Sequence, residues 1–358
     1  MGDHLRRVRQ PRQVNRQVAR LRPRDTVAMT AEAPLVGLDR IRAAALLLRG
    51  VATRTPLVAF GDPARRQLLK AESLQPIGAF KLRGAYTAIA LLSPGELGRG
   101  VITYSSGNHA QGVARAARLL GCHAVVVMPA NAPAIKRTRV VADGAEVVTV
   151  GNASAERQAV AERIAADRGL TIIPPYDDDR IIAGQGTCGL EIAEDVEDLG
   201  LVLVPIGGGG LASGVAAAVK ALRPAARVIG VEPELAADAR ESLALGRIVE
   251  WSAADVSRTI ADGTRTQALG VRTFAHLRVH LDGVVTVSEA EIAAGVRLAA
   301  EEARLVVEPS GALVIAALRF HADEIGLPLL HGTAVGVVSG GNVDPDQYRA
   351  LLETPIPA

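Results

Sequence analysis

From Leu68 onward, short apolar runs of strand character alternate with longer segments whose apolar residues recur at helical spacing. That alternation is the signature of parallel sheets assembled from strand–helix–strand units. The pattern predicts strands at Val101–Tyr104, Ala124–Met128 (closed by Pro129), Glu146–Val150 and Leu170–Ile173. Between them it predicts helices at Gln111–Leu120 (stopped by Gly121), Ala134–Ala142 and Ala155–Asp167. A second series begins near Pro174, with a helix at Gly189–Glu197, a strand at Leu201–Pro205, a helix at Ala212–Leu222 and a strand at Arg227–Val231. It continues with a strand at Gly283–Val287, helices at Glu289–Glu302 and Ser310–Phe320, and a strand at Ala334–Val338. The early segment Ile41–Ala90 is expected to join this second series. The expected fold class is therefore α/β, with two lobes each holding a mostly parallel sheet flanked by helices. Residues 97–173 are assigned to a small domain, and residues 31–96 with 174–354 to a large, discontinuous one.

Composition sharpens this picture in two ways. At 358 residues the chain exceeds the usual span of one core, which supports two lobes. With 49% apolar but only 3% aromatic residues, the interior must be packed by Ala, Val, Leu and Ile. Net charge is +2, from 40 basic and 38 acidic residues, so no electrostatic footprint for nucleic acid is present. The local exception is residues 1–30, where Arg6, Arg7, Arg9, Arg12, Arg16, Arg20, Arg22 and Arg24 stand among few apolar residues. This tail is expected to be disordered. A targeting presequence, a basic arm, and an extension upstream of a start at Met29 are its alternative readings. No apolar run reaches the roughly 18 residues of a membrane span, and no secretory signal is recognisable. Cys122 and Cys188 are too few for a disulfide framework and are read as inert. A cytoplasmic protein without a membrane partner is expected.

Four segments carry candidate chemistry. In Gly78-Ala79-Phe80-Lys81-Leu82-Arg83-Gly84-Ala85, Lys81 stands at the junction of a turn and a helix. Taken singly it would be a solvated lysine, inert because it is protonated. The run Gly207-Gly208-Gly209-Gly210 joins a strand to a helix that begins near Leu211. Four residues without side chains let backbone amides converge on an anion at a helix start. A tight turn would account for one or two of these glycines, but not for four. The run lacks the Lys-Ser/Thr of a nucleotide P-loop. A dinucleotide-binding reading stays open because Glu232 follows the next strand. Ser105-Ser106-Gly107-Asn108-His109 also joins a strand to a helix, where hydroxyls and free amides suit a carboxylate. Ser339-Gly340-Gly341-Asn342 opens a glycine turn at another strand end.

In that order, from about Leu38 to Asp344, these segments resemble the fold type II pyridoxal-phosphate enzymes, whose fold is tryptophan synthase β-like. The similarity is to the branch of threonine/serine dehydratases and serine racemases. It implies pyridoxal 5'-phosphate held between the lobes, with Lys81 joined to its aldehyde and Phe80 beside its ring. It further implies Asn108 at the phenolic oxygen, Gly207, Gly208, Gly209, Gly210 and Leu211 at the phosphate, and Ser339 at the ring nitrogen. Ser105, Ser106, Asn108, His109 and Arg157 fall on the substrate side, with Ser106 able to exchange a proton on the face opposite Lys81. Glu232, the Ala236 carbonyl and Asp238 match the family's loop for a divalent cation, magnesium, calcium or manganese. The chain departs from the pattern at Ala79, where most members have Ser. It departs again after Ala261-Asp262-Gly263, where Arg265 and Thr266 leave the identity of the substrate open.

The implied activity is that of an ammonia-lyase converting L-threonine or L-serine to a 2-oxo acid and ammonia. Serine racemase and 3-hydroxyaspartate ammonia-lyase are the alternatives, and a binding protein that carries the cofactor without turnover is the non-enzyme alternative. A homodimer with a small amino-acid substrate is expected, and the short tail after Asp344 implies no appended amino-acid-sensing domain.

Overall fold

The computed structural model describes residues 34–62, 65–105, 107–130, 132, 134–151 and 154–357. The Arg-rich tail and Ser106, singled out above, lie outside the described residues. Among the described residues, ten strands form two sheets. Six of them, β1 (Leu57–Ala59), β2 (Gln67–Ala71), β7 (Leu199–Pro205), β8 (Arg227–Pro233), β9 (Gly283–Val287) and β10 (Thr333–Val338), are ordered β1-β2-β10-β7-β8-β9. The other four, β3 (Val101–Tyr104), β4 (Ala124–Pro129), β5 (Glu146–Val150) and β6 (Thr171–Ile172), are ordered β5-β4-β3-β6. Every pairing is parallel except the short β1–β2 hairpin edge. Parallel strands must be covered on both faces, which is why β4, β7, β8 and β10 are nearly continuous runs of buried Val, Leu, Ile and Ala.

Two helices differ most from the sequence expectation, while those expected at Gln111–Leu120 and Ala212–Leu222 start earlier, at Asn108 and Gly210. The helix expected at Gly189–Glu197 runs from Asp179 to Asp195, with Asp178 accepting the Arg180 amide at 2.7 Å as its cap. Gly184 and Gly186 precede the expected start, yet both lie inside this helix with Gly189, each where a neighbour passes close by. A Cβ on Gly189 would stand 2.6 Å from the Val215 carbonyl, and one on Gly186 3.0 Å from that of Gly214. The glycines thus seat this helix directly against the helix Gly210–Leu222, which begins at the glycine run. The helix expected to reach Glu302 ends at Leu298 and continues as a π turn, Ala299–Ala303, closed by Arg304 at φ +57°. Smaller differences occur at Leu170–Ile173, which contracts to the two-residue edge strand β6, and at β7 and β8, which extend to Leu199 and Pro233.

Candidate active site

The segments following β3, β7 and β10 converge at the carboxyl ends of their strands, where open α/β sheets form binding crevices. A cavity of about 500 Å³ lies there. Its lining includes Phe80, Lys81, Ser105, Asn108, His109, Arg157, Gly207 to Leu211 and Ser339, so these residues are brought together from both sheets.

Lys81 opens the helix Lys81–Ala90. The turn before it is pinned to the end of β10: Ala79 pairs with Gly340, the Phe80 amide donates to the Ser339 carbonyl at 3.0 Å, and the Gly341 amide to the Gly78 carbonyl at 2.9 Å. Gly78 has φ +73°, and a Cβ there would stand 2.5 Å from Asn342 Oδ1, so glycine is required twice over. Lys81 Nζ donates to the Pro175 carbonyl at 2.7 Å and lies 5.1 Å from the centre of the Phe80 ring. Loss of hydration lowers its pKa to about 8. Two residues further along, the buried Arg83 clamps this helix in place. Its guanidinium donates to both oxygens of Glu72 at 2.8 Å and to those of Glu191 at 2.7 and 2.9 Å, while Lys70 Nζ also reaches Glu191 at 2.6 Å.

The glycine run wraps around a residue that the sequence reading missed. A Cβ on Gly208 would overlap the Tyr176 ring, and one on Gly210 would lie 3.1 Å from the Tyr176 backbone. Gly209, at φ +90°, starts the helix Gly210–Leu222, and Thr273 Oγ1 holds the Gly208 carbonyl at 2.8 Å. Backbone and dipole together make this turn an anion cradle. Tyr176 stands at the crossover between the sheets, and its position directly after Pro174-Pro175 was the available signal.

Asn108 is held on both sides, its Nδ2 donating to Glu308 Oε1 at 2.6 Å and its Oδ1 accepting from Asn342 Nδ2 at 2.9 Å. Glu308, also missed, immediately precedes the helix Pro309–Phe320 and is 2% exposed. Its Oε2 has no hydrogen-bond partner among the described residues. Burial, and then the charge of Asp262, push its pKa up to about 7. His109 is buried and donates from Nε2 to the Ile173 carbonyl at 3.0 Å, leaving Nδ1 without a partner among the described residues. Burial, followed by the Lys81 charge, lowers its pKa to about 3, so the ring is neutral. Ser339 Oγ donates to the Ser310 carbonyl at 3.4 Å.

Two cations border the same space. Burial lowers the pKa of Arg157, and the almost fully buried Lys136, unremarked in the sequence, lies 2.7 Å from Asp262 Oδ2. Nothing in the local pattern distinguishes Lys136. Arg265 donates from Nε and Nη2 to the Thr259 carbonyl at 2.9 and 2.5 Å.

The remaining candidates are not part of this cavity lining. Glu232 is fully buried, its oxygens accepting the Ala239 and Arg240 amides at 3.0 and 2.8 Å, which is not the placement of a ribose partner. Beside it, Asp238 has both carboxylate oxygens buried without a hydrogen-bond partner among the described residues. Burial raises both acids, with the Asp238 charge the next cause at Glu232, and Asp238 stands at about 7. A hard cation would satisfy those orphaned oxygens, so the donors fit the divalent-cation loop. Among the described residues, no cluster of three or more His, Cys, Asp or Glu could hold a metal. Cys188 is buried with its thiol pKa raised by burial, the inert state expected of it.

An amine held near neutrality by dehydration, across a cavity from an anion cradle, defines an enzyme site suited to a phosphorylated aldehyde. The comparisons agree. The model of the pyridoxal-phosphate dependent enzymes matches residues 48–340, and the chain belongs to that family. It is 42% identical over 284 residues to the L-threo-3-hydroxyaspartate ammonia-lyase of Saccharomyces cerevisiae, covering 79% of this chain and 85% of that one. The structure of the T.th. threonine deaminase superimposes with a TM-score of 0.80 at 44% identity, covering 86% of this chain and 99% of that one. Maize serine racemase superimposes with a TM-score of 0.83 at 35% identity, covering 88% and 97%. The family's cofactor is pyridoxal phosphate. The α/β fold of type II and the family resemblance read from the sequence are therefore correct.

Proposed function

We propose that the protein is an ammonia-lyase acting on hydroxyamino acids, with L-threonine and L-serine as default substrates and a 2-oxo acid and ammonia as products. The observation that carries this reading is the half-buried amine of Lys81, lowered to about 8 and facing the glycine cradle across one cavity. Lys81 would hold the cofactor's aldehyde, the amides from Gly207 to Leu211 its phosphate, Asn108 its phenolic oxygen and Ser339 its ring nitrogen, with Phe80 alongside the ring. Pyridoxal phosphate supplies, when bound, an electron sink that acidifies the amino acid's Cα and allows a β-hydroxyl to leave. A Ser339 hydroxyl, unlike a carboxylate, does not hold the ring nitrogen protonated, which favours elimination over transamination. Ser105 and the amides at the start of the helix Asn108–Leu119 receive the substrate carboxylate. Lys81 Nζ, once free of the cofactor, takes the Cα proton. Neutral His109 contributes shape without charge. Ser106, by the family resemblance, would exchange a proton on the opposite face. The water lost at Cβ is regained when the released enamine hydrolyses.

A second reading, 3-hydroxyaspartate as substrate, is favoured by Arg157 and Lys136 at the cavity and by the 42% identity to a lyase of that name. Oxo-acid formation and enantiomer exchange measured across serine, threonine and 3-hydroxyaspartate separate these readings from racemisation. Absence of both oxo acid and enantiomer exchange with all three would favour the cofactor-carrying binding protein. We also propose Glu232, the Ala236 carbonyl and Asp238 as ligands of a divalent cation. Magnesium is expected to raise the thermal midpoint by preferential binding to the folded state, and Asp238→Asn to remove the increment. An equal rise in the variant would rule the site out.

A further inference from the structure

Lys136 has no part in the elimination described above, yet it lines the cavity. Its Nζ is 2.7 Å from Asp262 Oδ2 and 3.8 Å from the position a Cβ would take on Gly107, within the loop proposed to receive the amino acid's carboxylate. The ion pair joins the helix Ala134–Ala142, beside the four-stranded sheet, to the turn Asp262–Thr264 from the other half of the cavity.

The two partners are unequal. The Lys136 side chain is 7% exposed and that of Asp262 is 42% exposed. A buried ammonium without a counter-charge is costly, whereas a carboxylate already half in water can be released to it at little cost. Lys136 therefore requires an anion, and Asp262 need not be that anion. The α-carboxylate of any amino acid is met by amides at a helix start, so an ammonium beside them is surplus for serine or threonine. Arg265, the cation of the divergent loop, is engaged with Thr259.

We propose that Lys136 is the specificity-determining residue for a second carboxylate on the substrate, displacing Asp262 when such a substrate enters. The favoured class is then a hydroxylated dicarboxylic amino acid of the 3-hydroxyaspartate type. This rests on the hydroxyamino-acid lyase reading and deepens it. Lys136 orients the substrate through charge, and no bond is made or broken at its Nζ.

The test compares kcat/KM for L-threo-3-hydroxyaspartate with that for L-serine, using holoenzyme. Lys136→Met is expected to lower this ratio by about 10- to 100-fold, the range for losing a charged hydrogen bond. Asp262→Asn is expected to raise it, because the competing anion is gone. An unchanged ratio in Lys136→Met, or a fall in both variants, overturns the proposal in favour of a bridge that supports the fold or every substrate alike. Succinate, which is aspartate without its amine, is titrated calorimetrically into the same three holoproteins. Weaker binding by Lys136→Met and tighter binding by Asp262→Asn support the selector, while equal affinities, or no binding to the wild type, overturn it. That titration needs no turnover. If the wild type releases ammonia from no hydroxyamino acid, the lyase reading falls while succinate still decides the role of Lys136.

Discussion

The proposed role of Lys81 sets two demands that conflict in water, since an amine must be neutral to attack an aldehyde and lysine is ordinarily charged. Dehydration resolves the conflict by disfavouring the ammonium. The pH dependence follows in sign. With the pKa lowered to about 8, the neutral fraction of Lys81 rises through that pH, whereas an ordinary lysine reaches half-neutrality only at about pH 10.4. The rate at which apoprotein captures pyridoxal phosphate, followed by absorbance, is expected to climb to a midpoint near pH 8 and then level. A rate still climbing toward an ordinary lysine's pKa would contradict the burial argument. Lys81 and the glycine run could be picked out in the sequence because their neighbours are unusual for a surface turn. Glu308 and Lys136 could not, because a glutamate before a helix and a lysine on a helix are common, and only their burial sets them apart.

At the scale of elements, the helix Lys81–Ala90 keeps its place through charges it buries. Arg83 and Lys70 face Glu72 and Glu191 with no measurable exposure at Glu72 or Lys70, so the network is balanced as two positive and two negative groups. Replacing one member leaves an opposite charge stranded. Arg83→Met is expected to cost about 3–5 kcal/mol in urea unfolding, the range for breaking a buried ion pair. A loss below about 1 kcal/mol would show that the network relaxes or admits water. Most strands were legible because parallel sheets demand continuous apolar runs. The first half of the helix Asp179–Asp195 was not, because its glycines weaken a helical pattern and serve contact with a neighbouring helix. Its start ten residues ahead of expectation is a tertiary effect that no local pattern records.

Across the whole molecule, the strands of the six-stranded sheet come from residues 57–71 and 199–338, and those of the four-stranded sheet from the intervening 101–172. The chain therefore returns to its first sheet after building its second, and this return brings Lys81, Asn108, the glycine run and Ser339 to one cavity despite their distance in sequence. Order along the chain, more than any single motif, made the site readable. What order could not convey is the charge pairing across the cavity, because Lys136 and Asp262 are 126 positions apart.

The central claim is a covalent link between Lys81 and the aldehyde of pyridoxal phosphate, and borohydride reduction of the loaded protein followed by peptide mapping tests it most directly. The expected result is a single pyridoxyl-labelled peptide containing Lys81, absent from Lys81→Ala. A label on another lysine, or none on the wild type, would contradict the account.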